Sequence, residues 1–160
     1  MYRWKCQVDA SWKSAAEGVG VGFVLFEEER VIMVGLRKIM RTMSPLQAEA
    51  EGLIWAMKEM IHCGFKQVRF ESDCQQLVRI IQHCTPWPVL EPDLDEIDFL
   101  RSEFSEFSLS FIARSENICA DCLVKASRPR DNLFSFVDVK VPIWLAHEAS
   151  LFEPFQKFNK

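Results

Sequence analysis

The chain has 160 residues, 49% hydrophobic and 26% charged, which suits one globular domain and excludes disordered, collagen-like and low-complexity classes. Nineteen Lys and Arg stand against 23 Asp and Glu, so the net charge is −4 and the pI near 5.4. That balance argues against a broadly basic nucleic-acid-binding face.

In chain order, Tyr2 to Trp12 alternates loosely and reads as a strand. Gly18 to Phe26 is a second, apolar strand, and Glu27 to Arg30 a charged turn. Val31 to Ile39 supplies a third strand, so the three form an antiparallel meander. Ser44-Pro45 opens a helix, with Ser as N-cap and Pro at the first position, and Gly64 closes it. Gln67 to Ser72 is a short strand, and Asp73 can cap a helix from Cys74 to Cys84. After the Pro-rich break Thr85–Pro88, Leu94, Ile97, Leu100 and Phe104 mark an amphipathic helix. Phe107 to Ala113 alternates as a strand, and Ser115 to about Arg128 is a last helix. The order β-β-β-α-β-α-α-β-α implies a mixed sheet covered by helices. Residues 1–130 read as the domain and 131–160 as an extension packed on it, containing the apolar stretch Phe134 to Val141.

No window approaches the ~20 apolar residues of a membrane span. The N-terminus lacks the apolar core and cleavage site of a signal peptide. Six cysteines, scattered through apolar or helical segments, read as reduced thiols. Cys119-Ala-Asp-Cys122 has no second pair at zinc spacing. A nuclear or cytoplasmic monomer is expected, neither secreted nor membrane-bound.

Acidic residues carry the chemical signal. Asp9 lies inside the first strand, where Asp is disfavoured. Glu49 falls in the opening turns of the long helix, Asp73 ends a strand, and Asp121 sits mid-helix among apolar neighbours. Taken singly, each has a structural reading as dipole complement, cap or solvated position.

Together with their neighbours they resemble the landmarks of a known fold. Val8-Asp9-Ala10-Ser11, Ser44-Pro-Leu-Gln-Ala-Glu-Ala-Glu51, Phe70-Glu-Ser-Asp73 and Ala113-Arg-Ser-Glu-Asn117 followed by Ala120-Asp121 are similar to motifs of the plant reverse-transcriptase-like ribonuclease H domains. That family includes domains derived from non-LTR retroelements, and the similarity spans roughly residues 4 to 128. It implies an α/β, ribonuclease H-like fold, with a mixed five-stranded sheet (three antiparallel then two parallel strands) and helices on both faces. It also implies Mg²⁺-dependent hydrolysis of the RNA strand of RNA–DNA hybrids. Two Mg²⁺ ions, for which Mn²⁺ can substitute, would clamp the phosphodiester about 3.5–4 Å apart. Asp9 would bridge them, Glu49 and Asp73 would complete one site, and Asp121 the other. Ser11, Gln75, Arg114 and Asn117 fall at substrate-binding positions. Such a domain can belong to a larger reverse-transcriptase polyprotein. Glu51 ranks behind Glu49 as a ligand, and Glu71 reads as a solvated charge.

The chain also departs from the family. The loop before the last helix, Arg114-Ser-Glu-Asn117, lacks the mobile His of many relatives; His62, His83 and His147 lie elsewhere. In place of a basic protrusion stands the acidic Glu91–Asp98, and Pro45 and Leu46 replace the family's Asn residues. Arg37, Lys38, Arg41, Arg114, Lys125, Arg128 and Arg130 are the local phosphate-contact candidates. The alternative reading is a catalytically weak or inactive module of the same fold that binds nucleic acid or protein.

Overall fold

The structure, a computed structural model, describes residues 2–12, 14, 18–39, 42–117 and 135–138. Its frame is an antiparallel meander of β1 (Trp4–Ser11), β2 (Val19–Glu27) and β3 (Arg30–Ile39). Alternate residues Cys6 and Val8 of β1 and Val21, Phe23 and Leu25 of β2 enter one core. Phe23 lies across from Gly35, where an added Cβ would collide with its ring; the missing side chain lets the ring pass and reach Trp55, 5.2 Å away.

Helix α1 (Pro45–His62) starts where its sequence dictates. Ser44 is the N-cap and its hydroxyl accepts from Gln47 N–H at 3.1 Å, while the Gln47 side chain accepts from Met43 N–H at 2.7 Å. The helix is buried on most of its surface, because it lies between the sheet and helix α3 (Glu91–Arg101). Fully buried Leu53, Met57 and Met60 each contribute about 1.5–3 kcal/mol of hydrophobic stabilisation. Strand β4 (Gln67–Ser72) runs parallel to β1, and β5 (Glu106–Phe111) parallel to β4. Phe70, Phe104 and Phe107, with ring centroids 5.5 to 5.7 Å apart, pin β4 and β5 to the segment that follows α3.

The expected mixed five-stranded sheet is present, in the order β5-β4-β1-β2-β3, and β6 (Ser135–Asp138) extends it antiparallel to β3 as a sixth strand. Two expectations need correction. Helix α2 (Gln75–His83) begins one residue late and is not capped by Asp73; Cys74 is its N-cap, and Ser72 Oγ accepts the Cys74 N–H at 3.1 Å. Glu71 is buried rather than solvated. It accepts from Gln7 Nε2 at 3.2 Å and pairs with Arg69 at 3.3 Å and Lys5 at 4.0 Å. The reason is local: Gln7, Lys5 and Arg69 gather around its carboxylate on the sheet face where Val24, Val34 and Leu36 are also buried.

No described helix is long and apolar enough to cross a membrane. Of the expected last helix, Ser115 and Glu116 lie in a 3₁₀ turn, Arg114–Glu116. Asp121, Cys119, Cys122, Lys125, Arg128, Arg130 and Arg41 lie outside the described residues.

Candidate metal centre

Parallel pairing of β1 with β4 builds the centre. Val8 registers with Ser72, so the next residues, Asp9 and Asp73, emerge side by side at the carboxyl ends of adjacent strands. Asp9 is buried, and its Oδ1 accepts the Ala10 N–H at 2.9 Å. Ser72 orients Asp73 through the turn it makes with Cys74.

Glu49 arrives from α1. One helical turn further on, Gly52 permits close approach: a Cβ there would sit 3.3 Å from Val21 Cγ1 and 3.6 Å from the Asp9 carbonyl oxygen. The entry of α1 is tied to the end of β1, because Trp12 Nε1 donates to the Thr42 carbonyl at 3.2 Å. Carboxylate oxygens of Asp9, Glu49 and Asp73 thereby fall within 4.8 Å of one another.

The electrostatics follow from this crowding. Burial raises the Glu49 pKa well above the usual carboxylate range, and the charges of Asp9 and Asp73 raise it further. Such a cluster is destabilising unless protons or cations compensate it. Its donor set, all carboxylate oxygen, fits a hard divalent ion such as Mg²⁺. Cys74 stands beside it, but burial, aided by the three carboxylates, pushes its thiol up to about 11. The thiol therefore stays protonated at neutral pH beside the three carboxylates.

Asp9, Glu49 and Asp73 line a cavity of about 240 Å³ together with Pro45, Leu46, Cys74, Gln76 and Arg114. Of the expected substrate residues, Arg114 lines this cavity and is exposed. Ser11 is half-buried at the end of β1, and Gln75 is exposed at the start of α2 without lining the cavity. Asn117 has no exposed surface; its Nδ2 donates to the Val8 carbonyl at 2.9 Å and fastens the 3₁₀ turn to the strand that carries Asp9. Glu51 turns away from the cluster to hydrogen-bond Asp93 of α3. Gln76 and Cys74 were not legible as site residues, because their placement depends on the exact start of α2.

A family model described as reverse transcriptase-like matches residues 7–127. No curated protein matches the chain. Among solved structures, ribonuclease H1 of the halophilic archaeon Halobacterium salinarum is similar with a TM-score of 0.70 and 23% identity, over 78% of this chain and 96% of that one. LC11 ribonuclease H1, isolated from compost by a metagenomic approach and crystallised with an RNA/DNA hybrid, gives 0.71 and 22%, over 79% of this chain and 96% of its own. The prototype foamy virus protease–reverse transcriptase gives 0.66 and 13%, over 82% of this chain and 21% of the viral one.

Proposed function

The chain belongs to the reverse transcriptase-like family and has the ribonuclease H fold, and from that premise we propose that it is a divalent-metal-dependent endonuclease cutting the RNA strand of RNA–DNA hybrids. The observation that carries this reading is the convergence of Asp9, Glu49 and Asp73 at the ends of two parallel strands. Mg²⁺, or Mn²⁺ in its place, would be held by these three and by Asp121, supplying the two-ion chemistry that activates water and stabilises the leaving oxygen. Asp9 is held in place by the Ala10 N–H that its Oδ1 accepts. Burial and its acidic neighbours favour a proton on Glu49, and divalent cations held by the cluster would supply the charge that favours its ionised form.

Arg114 brings positive charge to the cavity and suits a substrate phosphate. Ser11 and Gln75 would contact the hybrid beside it. Asn117 would act one step back, by holding the Arg114 turn against β1. The crystallised complex of a structural relative with an RNA/DNA hybrid supports this substrate class. The viral similarity supports a place in a longer reverse-transcriptase chain, whose other parts would grip the hybrid that this acidic domain attracts weakly.

Cleavage of a labelled RNA–DNA hybrid at low salt with Mg²⁺ or Mn²⁺ tests the reading, beside single-stranded RNA and duplex DNA. Cutting confined to the hybrid's RNA strand and abolished by Asp9→Asn is expected. Asp9→Asn should fold normally, and Mg²⁺ should raise the melting temperature of the wild type but not of the variant. Retained cleavage in Asp9→Asn would remove Asp9 from the chemistry; a folded wild type that neither cuts nor responds to Mg²⁺ would leave a binding module.

A further inference from the structure

A second concavity, also of about 240 Å³, lies between the end of α2 and α3. It shares no residue with the metal cavity. The two are separated by the length of α2, whose nine residues span about 13 Å. Ile80 and Ile81 of α2 with Leu94 and Ile97 of α3 give it an apolar floor, and Trp87 stands at its side with 37% of its surface exposed. The loop that presents Trp87 is fixed: Cys84 is left-handed (φ 49°), Thr85 N–H donates to Ile80 at 3.1 Å, and Leu90 N–H donates to Trp87 at 2.9 Å. A large aromatic held on a rigid loop loses little entropy when a partner covers it.

The rim decides what that partner is. Glu91, Asp95 and Asp98 follow one another at four- and three-residue spacing, so their carboxylates share one stripe of α3 along the groove. The lining contains one cation, Arg101, which lies 3.9 Å from Asp98 and stacks over the Phe107 ring at 5.1 Å. Three carboxylates against one engaged guanidinium repel phosphate and attract Lys or Arg. The volume is below the ~300–1,000 Å³ typical of small-molecule sites, which suits an anchoring side chain better than a whole metabolite. An apolar centre with a charged rim is also the anatomy of a protein-docking hot spot.

We infer that this groove docks a basic peptide segment of a partner protein, with an apolar side chain seated against Trp87 and Lys or Arg residues along the α3 carboxylates. The inference stands apart from the nuclease reading.

The test is fluorescence anisotropy of a short labelled peptide of alternating Leu and Arg, titrated with the whole chain in Mg²⁺. Saturable binding is expected, weakened at least ~10-fold by Trp87→Ala and by the combined Glu91→Gln, Asp95→Asn and Asp98→Asn variant. Substituting Glu for Arg in the peptide, or removing its Leu residues, should weaken it similarly. Asp9→Asn should leave binding intact, which separates the groove from the metal cluster. Circular dichroism melts keep the comparison to folded variants, and Trp87→Ala should cut hybrid at the wild-type rate. Binding that survives both groove variants, or that is lost in Asp9→Asn, would overturn the inference. So would self-association of the wild type that Trp87→Ala abolishes, since the occupant would then be a second copy. Hybrid binding lost in Trp87→Ala would overturn it too, in favour of nucleic acid.

Discussion

Glu51 and Asp93 meet where α1 crosses α3, two acidic side chains sharing a hydrogen bond. Burial raises Glu51 to about 7, helped by its hydrogen bond to Asp93 and by the charges of Asp93 and Glu96, while Lys58 opposes the shift. Asp93 is also raised, chiefly by burial. A carboxyl whose pKa rises on folding stabilises the fold while it holds its proton. For Glu51 that contribution is complete below the ordinary value of 4.5 and is lost as pH climbs through about 7. Melting temperature should therefore fall more steeply for the wild type than for Asp93→Asn across this interval, and parallel curves would refute the shared proton. Single residues were unevenly legible. Asp9 announced itself as a charge inside an apolar strand. Asp93 and Glu71 did not, because an acid on a helix or an edge-like strand reads as solvated until the element covering it is known.

Among the elements, α1 does most to assemble the centre, because it lies close against β1 and brings Glu49 into hydrogen-bonding contact with Asp9 and the Ala10 backbone. Gly52 sets the spacing between the helix and β1, one turn from Glu49. Gly52→Val adds side-chain atoms beyond a Cβ that already lies 3.3 Å from Val21 Cγ1, so the helix must lift or tilt. The expected cost is about 1–3 kcal/mol of stability. Hybrid cleavage should fall more than the folded fraction does, because Glu49 moves away from Asp9; cleavage in proportion to folded protein would show that the spacing is not critical. The elements themselves were largely readable. Ser44-Pro45 and Gly64 bracket α1, alternation marks β1 and β5, and an apolar run marks β2. The start of α2 was not readable, because Asp73 is a good cap by residue type and only the Ser72 turn excludes it. The strand β6 escaped because it is four residues long and its partner, β3, lies far back in the chain.

At the scale of the molecule, the sheet is finished by that late strand. β6 covers the edge of β3 from Val34 to Arg37. An open edge of this kind is a template for pairing with other chains. A chain ending at residue 130 should keep the carboxylate cluster yet self-associate, visible as concentration-dependent light scattering that the full chain does not show. A monomeric, equally soluble truncation would mean that β6 protects nothing. The acidic balance belongs to this scale too, since no single residue revealed that the charges of α3 gather along one groove.

The pairing of β6 with β3 also has a consequence in time. Roughly a hundred residues separate the end of β3 from the start of β6, which at ribosomal rates of ~5–20 residues per second is on the order of 5–20 s of synthesis. Throughout that interval the meander has emerged while its outer flank waits for a partner still inside the ribosome. The nascent chain is thus most vulnerable to mispairing with its polysome neighbours just before β6 emerges.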